Sequence, residues 1–278
     1  MYRSYTPLSG VPRASKKQLV VEQKQALDER VPDNVTLFYW ALGPLGQSAQ
    51  AQIMIPAKSL AELHKPSLEI DKTNRTLEVI DQGKTVKRYP VALGQNPVNR
   101  KDCQDMASTP EGWYKVYNTQ PNATYYKALD IDYPRPIDEV RHRLAIESER
   151  IESDRPIGGE IQIHGWGIGA DWTAGCIALR NDDMDELFAD PSIRAGTPVF
   201  IAGSQVAIQD KEWLASPPAD SVRQVQKRLR EKGFYQGAID GEFGSGTALA
   251  LGRYQLGQNL PSSCQLDSTT RRHFGLAD

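Results

Sequence analysis

The chain has 278 residues, of which 39% are hydrophobic and 24% charged, and its formal net charge is −2. These values predict a globular protein of about two domains, and the near-neutral charge gives no reason to expect nucleic acid or an anionic membrane as a partner. No apolar run approaches the ~20 residues that a membrane-spanning helix needs, and residues 1–25 lack the apolar region of a secretory signal.

Residues 1–65 are predicted to be an N-terminal extension, and their sequence does not indicate a function. Residues 16–30 are polar and compatible with a helix. Ala51–Ala57 alternates weakly between apolar and polar residues, which favours a strand.

Residues 66–204 predict a mainly β domain, a β-sandwich or strand meander with a few helices. Apolar and polar residues alternate from Ser67 around turns at 72–75 and 82–84, and further strands are predicted within 109–118, 158–164 and 197–203. Ile137–Ile151 has helical spacing. Asn181 is the predicted N-cap of a helix whose acidic first turn suits the helix dipole.

Residues 205–220, which contain Pro217-Pro218, are predicted to be a linker. Residues 221–278 then predict a small all-α domain of three helices. In its first helix Val222, Val225 and Leu229 share one face, and Gly233 is a predicted helix stop. Asp267 is the predicted cap of a short third helix.

The cysteines and histidines are widely scattered. The cysteines are Cys103, Cys176 and Cys264, and the histidines are His64, His142, His164 and His273. Because structural zinc sites have tighter ligand spacing, no metal is predicted. Cys103 and Cys264 would form a disulfide only in an oxidising compartment.

The stretch Ile161–Asp183, IQIHGWGIGADWTAGCIALRNDD, places His164 at the end of a predicted strand and Cys176 twelve residues later. Three interpretations are open at this point: a cysteine nucleophile with its base, half of a metal site, or a buried thiol beside a glycine-rich turn. A free thiol is mostly protonated at neutral pH, so a nucleophile would need the imidazole to accept its proton.

The residues around the pair suit acyl transfer. The Gly165 carbonyl is placed to orient the His164 ring without a carboxylate. The backbone N–H groups of Gly175 and Cys176 are candidates for an oxyanion hole, with the Thr173 hydroxyl as an added donor.

Residues 67–203 resemble the L,D-transpeptidase catalytic domain, the YkuD-type family of bacterial cell-wall enzymes. The resemblance lies in IHG followed by TAGCIALRNDD, in TPEGWY for the Thr-Pro-x-Gly turn, in YPVALG ahead of it, and in YYKALDIDYP. It implies that Cys176 is the nucleophile, that His164 is its base, that Gly165 orients the base, and that Thr173 replaces a common serine. It implies no cofactor.

Two positions depart from the family's pattern. Ala178 stands where arginine is frequent, with Arg180 the nearest arginine, and Lys127 stands where histidine is common. These departures concern substrate recognition and the outcome of the reaction. Tyr126, Trp172 and Arg180 are candidate substrate contacts, each with an alternative interpretation as a packing or surface residue.

Residues 221–278 resemble the common peptidoglycan-binding domain. Leu229, Gly233, Phe234, the GAIDGEFG segment and Tyr254-Gln255 carry this resemblance. Asp240, Phe243 and Thr247 are the candidate residues of this module. The alternative is a degenerate docking or regulatory module.

The implied activity is that of an L,D-transpeptidase that forms a cysteinyl thioester with peptidoglycan stem tetrapeptides and crosslinks them or exchanges a D-amino acid. The alternative is an L,D-carboxypeptidase or endopeptidase on the same scaffold, including a secreted antibacterial effector. A catalytically silent wall-binding protein is a third hypothesis, against which the Cys–His pair argues. The expected site of action is the periplasm or cell wall, reached by non-classical secretion or after removal of a signal.

Overall fold

The structure, a computed structural model, describes residues 66–276. The helix predicted at 16–30 and the strand predicted at 51–57 lie outside the described residues. From Pro66 onward the chain forms one compact unit.

Eight strands form one sheet. They are β1 (Ser67–Asp71), β2 (Thr76–Asp81), β3 (Lys84–Pro90), β4 (Gly112–Ala123), β5 (Tyr126–Ile131), β6 (Gln162–His164), β7 (Ile177–Ala178) and β8 (Pro198–Ala202). Their order across the sheet is β3-β2-β1-β8-β4-β5-β6-β7. The β1–β8 and β6–β7 pairs are parallel and the other pairs antiparallel.

The alternation seen in the sequence produces the buried face of this sheet. Side chains two residues apart on a strand point to the same face, and Leu68 and Ile70 of β1 are fully buried with Val199 and Ile201 of β8. The mainly β domain predicted for this region is confirmed.

Six α-helices lie in the described residues. They are α1 (Pro136–Glu147), α2 (Asn181–Ala189), α3 (Lys211–Ala215), α4 (Ala219–Glu231), α5 (Ser245–Gly257) and α6 (Ser268–Phe274). None of them has the length and apolar character required to cross a bilayer. The predicted linker 205–220 contains a 3₁₀ turn (Ile208–Asp210), α3 and the start of α4, and the Trp113 indole donates to the Lys211 carbonyl at 2.8 Å.

The predicted N-cap of α2 is wrong by one residue. Arg180 is the N-cap, and Asn181 is the first helical residue. The Asn181 side chain has a different partner, because its Oδ1 accepts the backbone N–H of Trp166 at 2.8 Å. The predicted cap thus connects the helix start to the loop that follows His164.

The C-terminal helices have their own core and end as the sequence predicts. Val222, Val225 and Leu229 of α4 are fully buried. Gly233 follows α4 with a φ of +81°, a value that glycine adopts without strain. The Asp267 side chain accepts the Thr270 N–H at the start of α6.

The C-terminal helices also pack against the β domain. Val140 and Leu144 of α1 share an apolar cluster with Ala248 and Leu249 of α5 and with Cys264. Arg141, which is fully buried, donates to the Ser263 carbonyl at 2.9 Å. Residues 66–276 therefore share buried contacts across the boundary between the two predicted domains.

Candidate active site

His164 is the last residue of β6, held between β5 and β7. Its Nδ1 lies 2.7 Å from the Gly165 carbonyl oxygen. Because a carbonyl can only accept, Nδ1 carries the hydrogen and Nε2 keeps its lone pair. Burial lowers the pKa of His164, against a smaller raising effect of the Gly165 carbonyl, so the ring is neutral at pH 7.

Gly165 lies where a side chain has no room. An added Cβ would lie 2.6 Å from Asn181 Oδ1 and 2.9 Å from the Tyr126 Cβ. The close approach of Tyr126 and Asn181 holds the backbone that carries the accepting carbonyl. The residue type at 165 is therefore set by packing, and the packing fixes the imidazole.

Aromatic rings surround the imidazole. Tyr125 stacks on His164 with the centroids 4.9 Å apart and an interplanar angle of 28°. The ring centroids of Trp172 and His164 are 5.6 Å apart, and those of Trp166 and Tyr125 are 5.3 Å apart. Trp166 is 65% exposed, so the cluster presents a free aromatic surface beside the histidine.

Cys176 comes immediately before β7, the strand that pairs with the His164 strand β6. In the parallel β6–β7 pair Ile163 lies opposite Ile177 and His164 opposite Ala178. By the alternation of a strand, Cys176 belongs to the face that carries His164 and Gln162. Its thiol donates to the Glu160 carbonyl at 3.6 Å.

The thiol of Cys176 is protonated at neutral pH. Burial raises its pKa, and the charges of Asp130 and Glu160 add to this effect. The backbone of Gln162 and the Lys101 ammonium act in the opposite direction. The pair at rest therefore consists of a thiol and a neutral imidazole.

The turn before Cys176 is held together by its own polar groups. Gly175 has a φ of +135°, and a Cβ there would lie 2.7 Å from the Ser108 carbonyl oxygen. Its N–H donates to Thr173 Oγ1 at 3.1 Å, and the Thr173 hydroxyl donates to the Cys176 carbonyl at 2.7 Å. The Gly175 N–H and the Thr173 hydroxyl hydrogen are therefore both used within the turn. Of the three predicted oxyanion donors, the Cys176 N–H remains as the candidate.

The three candidate substrate contacts have different surroundings. Trp172 is beside His164 and donates its indole N–H to the Gly167 carbonyl. Tyr126 packs behind Gly165, and its hydroxyl bonds to the Asp185 carboxylate. Arg180 is exposed and paired with Asp183 at 2.7 Å on helix α2.

The two positions that depart from the family's pattern have different surroundings. Ala178 is fully buried, and its backbone exchanges two hydrogen bonds with Ala92. Lys127 is paired with Asp185 at 2.6 Å.

The candidate residues of the C-terminal module make internal contacts. Asp240 Oδ1 accepts from the Gln226 side chain and from the Glu242 N–H, and Thr247 is buried beside Gln226. Phe243 packs between the helical core and the cluster that joins α1 to α5.

Several neighbours of the site are not apparent from the sequence. Tyr125 is adjacent to the predicted substrate contact Tyr126, but only the turn between β4 and β5 brings the Tyr125 ring onto His164. Lys101 and Asp130 come from distant segments and act on the Cys176 thiol through their charges. In the described residues no group of three or more His, Cys, Asp or Glu has a metal-binding arrangement, and the three cysteines are free thiols.

Comparison with known proteins identifies two matches along the chain. Residues 65–201 match the YkuD family, described as "L,D-transpeptidase catalytic domain", and residues 218–273 match "Putative peptidoglycan binding domain".

Three known proteins are similar to this chain. "Putative L,D-transpeptidase YafK" of Escherichia coli (strain K12) is 28% identical over 127 residues, 44% of this chain and 45% of that protein. "Probable L,D-transpeptidase YcfS" of the same strain is 25% identical over 202 residues, 68% of this chain and 59% of that protein. The solved structure of the helical cell shape determining protein Pgp2 from Campylobacter jejuni is 19% identical, covers 77% of this chain and 68% of that chain, and has a TM-score of 0.40. The chain thus spans about half the length of these curated relatives.

Proposed function

Since residues 65–201 belong to the L,D-transpeptidase family and residues 218–273 to a peptidoglycan binding family, we propose that the protein is a cysteine-dependent acyltransferase acting on peptidoglycan stem peptides. The observation that carries the proposal is the tautomer of His164. The Gly165 carbonyl holds the hydrogen on Nδ1, so Nε2 is free to accept the proton of Cys176 on the same face of the sheet.

In the first step the Cys176 sulfur attacks the carbonyl at the L-centre of the third residue of a tetrapeptide stem. The thiol proton passes to His164 Nε2, and the S–C bond forms as the carbonyl electrons move to oxygen. Collapse of this intermediate breaks the peptide bond. D-Alanine leaves with the proton from the imidazolium, and a thioester remains on Cys176.

In the second step an amine resolves the thioester. The nitrogen of a second stem peptide or of a D-amino acid attacks the thioester carbonyl while the neutral His164 takes its proton. The C–N bond forms, the C–S bond breaks, and the imidazolium returns the proton to the Cys176 sulfur. Water in place of the amine gives a tripeptide, which is the hydrolase alternative. Neither step draws on a metal or an organic cofactor.

The proposed site of action is the periplasm or the cell wall, because the substrate is peptidoglycan. The Trp166, Trp172 and Tyr125 rings beside His164 are proposed to form one wall of the stem-peptide cleft. The C-terminal module is proposed to bind peptidoglycan.

The test is an incubation of the protein with tetrapeptide muropeptides, with products identified by mass. Crosslinked dimers or D-amino-acid exchange support transfer, and tripeptides alone support hydrolysis. The Cys176→Ala variant should form neither product. Cys103→Ala is the matched control, since Cys103 is also a free thiol but is buried, and it should retain activity. Full activity of Cys176→Ala would contradict the assignment of the nucleophile.

A further inference from the structure

Arg75 and Asp171 form an ion pair between two segments that lie 96 residues apart in the sequence. The Arg75 Nε and Nη2 groups donate to Asp171 Oδ2 at 3.0 and 2.8 Å. Asp171 Oδ1 accepts the backbone N–H of Leu93 at 2.9 Å. The Asp171 carboxylate is therefore held from two directions, by the turn between β1 and β2 and by the chain that follows β3.

The turn that carries Arg75 is itself anchored in the β domain. Arg75 Nη1 donates to the Lys72 carbonyl at 2.8 Å, and the Arg75 carbonyl accepts the Val91 N–H at 2.9 Å. The Lys72 ammonium is buried and donates to the Thr109 carbonyl and to the Glu111 carboxylate, each at 2.9 Å. The guanidinium thus extends from a fixed backbone.

The segment that Asp171 holds packs against the proposed base. Trp172 follows Asp171 directly, and the ring centroids of Trp172 and His164 are 5.6 Å apart. The Trp172 ring also meets the edge of Tyr125, and its indole N–H donates to the Gly167 carbonyl at 3.1 Å. A displacement of Asp171 would therefore move the ring that packs on the imidazole.

The same segment continues into the turn of the proposed nucleophile. The Thr173 N–H donates to the Leu93 carbonyl at 3.1 Å, and the Thr173 carbonyl accepts the Gln95 N–H at 3.0 Å. The Thr173 hydroxyl donates to the Cys176 carbonyl at 2.7 Å. Together with the contact between Asp171 and the Leu93 N–H, these bonds set where the turn begins.

We propose that the Arg75–Asp171 ion pair positions the proposed base and nucleophile, because it fixes the segment that lies between them in the chain. This rests on the proposed acyl transfer. The Arg75 side chain is 40% exposed, and ion pairs near the surface contribute little to overall stability. Small displacements of reacting groups reduce rates strongly. Arg75 and Asp171 are thus positioning residues, whose loss affects the chemical step more than the fold.

The first experiment measures local order and needs no peptidoglycan. Asp171→Asn keeps an oxygen for the Leu93 N–H, but its charge is lost and its amide N–H₂ would face the Arg75 guanidinium. Amide hydrogen exchange of the full-length protein is followed by mass. We expect exchange about tenfold faster in peptides that cover residues 91–95 and 171–176, because local opening becomes easier.

Glu78→Gln is the matched control. Glu78 of β2 is paired with Arg88 of β3 at 2.6 Å, and its side chain is 21% exposed, close to the 18% of Asp171. The substitution removes the same charge from a pair that does not touch the segment before Cys176. It should leave exchange in both sets of peptides unchanged.

The second experiment measures the reactive groups. Alkylation of Cys176 by iodoacetamide at about pH 7.5 should be about threefold to tenfold slower in Asp171→Asn, because a displaced His164 no longer takes the thiol proton. On a soluble tetrapeptide muropeptide, kcat should fall about tenfold while KM changes less than about threefold. Arg75→Lys keeps the charge and should return both rates to within about threefold of the unmodified protein.

A double variant tests whether the two residues act as one unit. Arg75→Gln combined with Asp171→Asn should be no slower than the slower single variant. Effects on kcat or on alkylation that multiply in the double variant overturn the proposal, because each residue would then act separately.

The remaining outcomes also decide the proposal. Exchange and alkylation of Asp171→Asn that overlay those of the unmodified protein overturn it. Faster exchange throughout the β domain, or loss of the folded circular dichroism spectrum in both Asp171→Asn and Arg75→Gln, overturns it as well, since the pair would then stabilise the whole fold. The expected exchange and alkylation in a protein that turns over no muropeptide support the role of the pair while the proposed function fails.

Discussion

The resting charge of the His164–Cys176 pair determines how activity depends on pH. Burial lowers the pKa of His164, and burial raises that of Cys176. The imidazole therefore stays neutral, and able to accept a proton, below the ordinary histidine pKa of about 6.5. We expect kcat/KM on a muropeptide to reach its plateau below about pH 6.5 and to stay flat past neutrality.

A thiolate–imidazolium pair would behave differently. It would fall in activity on the alkaline side as the imidazolium loses its proton. The pH profile of kcat/KM, measured with the pH profile of alkylation at Cys176, distinguishes the two cases. Rapid alkylation that is constant down to pH 5 would contradict a neutral resting pair.

A substitution at Gly165 tests how strictly the position of His164 is determined. Gly165→Ala places a Cβ against Asn181 Oδ1 and the Tyr126 Cβ, and overpacking of this kind costs about 1–3 kcal/mol. We expect a loss of that size in the free energy of unfolding in urea, and a larger proportional loss in kcat, because the carbonyl that orients His164 shifts.

Gly169→Ala is the matched control for this substitution. Gly169 has open space where a Cβ would go, so its replacement should change neither stability nor kcat. Equal effects of the two substitutions would show that the packing around Gly165 does not position the base.

At the level of single residues, the assignment of His164 and Cys176 as base and nucleophile stays a prediction. What the structure adds is the contact between His164 Nδ1 and the Gly165 carbonyl and the charges around the thiol. Lys101 lies 75 residues before Cys176 in the sequence. A lysine in a polar loop is ordinarily exposed, so only the tertiary packing of the loop reveals that it is buried.

At the level of elements, Asp130 connects three strands of the sheet. It accepts from Asn118 of β4 at 2.7 Å, from Gln120 of β4 at 2.8 Å and from Gln162 of β6 at 2.7 Å. In Asp130→Asn the amide N–H₂ would face one of these donors. We expect this variant to lose about 1–3 kcal/mol of unfolding free energy, the cost of a buried polar group left unsatisfied.

Denaturation in urea measures this loss. Asp154→Asn is a control with the same chemical change on an exposed turn, and it should be neutral. An Asp130→Asn variant as stable as the control would mean that the three amides rearrange without cost.

The strands and helices themselves were largely predictable. β1, β2, β3 and β8 appear where alternation predicts them, since their local sequence agrees with one buried face. The sheet order was not predictable, because the pairing of β8 with both β1 and β4 joins segments far apart in the chain. The two-residue strand β7 is too short to show alternation.

At the level of the whole molecule, the C-terminal helices complete the burial of charges in the β domain. Arg100 and Arg141 are 1% and 0% exposed, and their acceptors include the carbonyls of Ser262 and Ser263 and the Gln265 side chain. Arg100 lies next to Lys101. The module thus supports the loop between β3 and β4.

This contact changes what a deletion of residues 217–278 would measure. The deletion removes the Ser262, Ser263 and Gln265 acceptors of two buried arginines, which keep Asp102 and Asp138 as partners, and it uncovers Val140 and Leu144. Buried donors that lose an acceptor and newly exposed apolar surface both destabilise the fold. We expect the truncated protein to unfold at least several degrees lower in temperature and to lose activity even on small soluble muropeptides, for which binding to the intact wall is not needed.

Arg253→Ala in the full chain is the control, because it removes only a surface contact between the C-terminal helices and the β domain. Arg253 forms an exposed ion pair with Glu147 at 2.8 Å, and such pairs contribute about 0–1 kcal/mol, so this variant should melt close to the unmodified protein. The measurements are thermal melts and kcat/KM on a soluble tetrapeptide substrate. If the truncated protein keeps both values, the β domain is stable and active without the module. A loss of sacculus binding in the truncated protein would then be caused by the missing module alone.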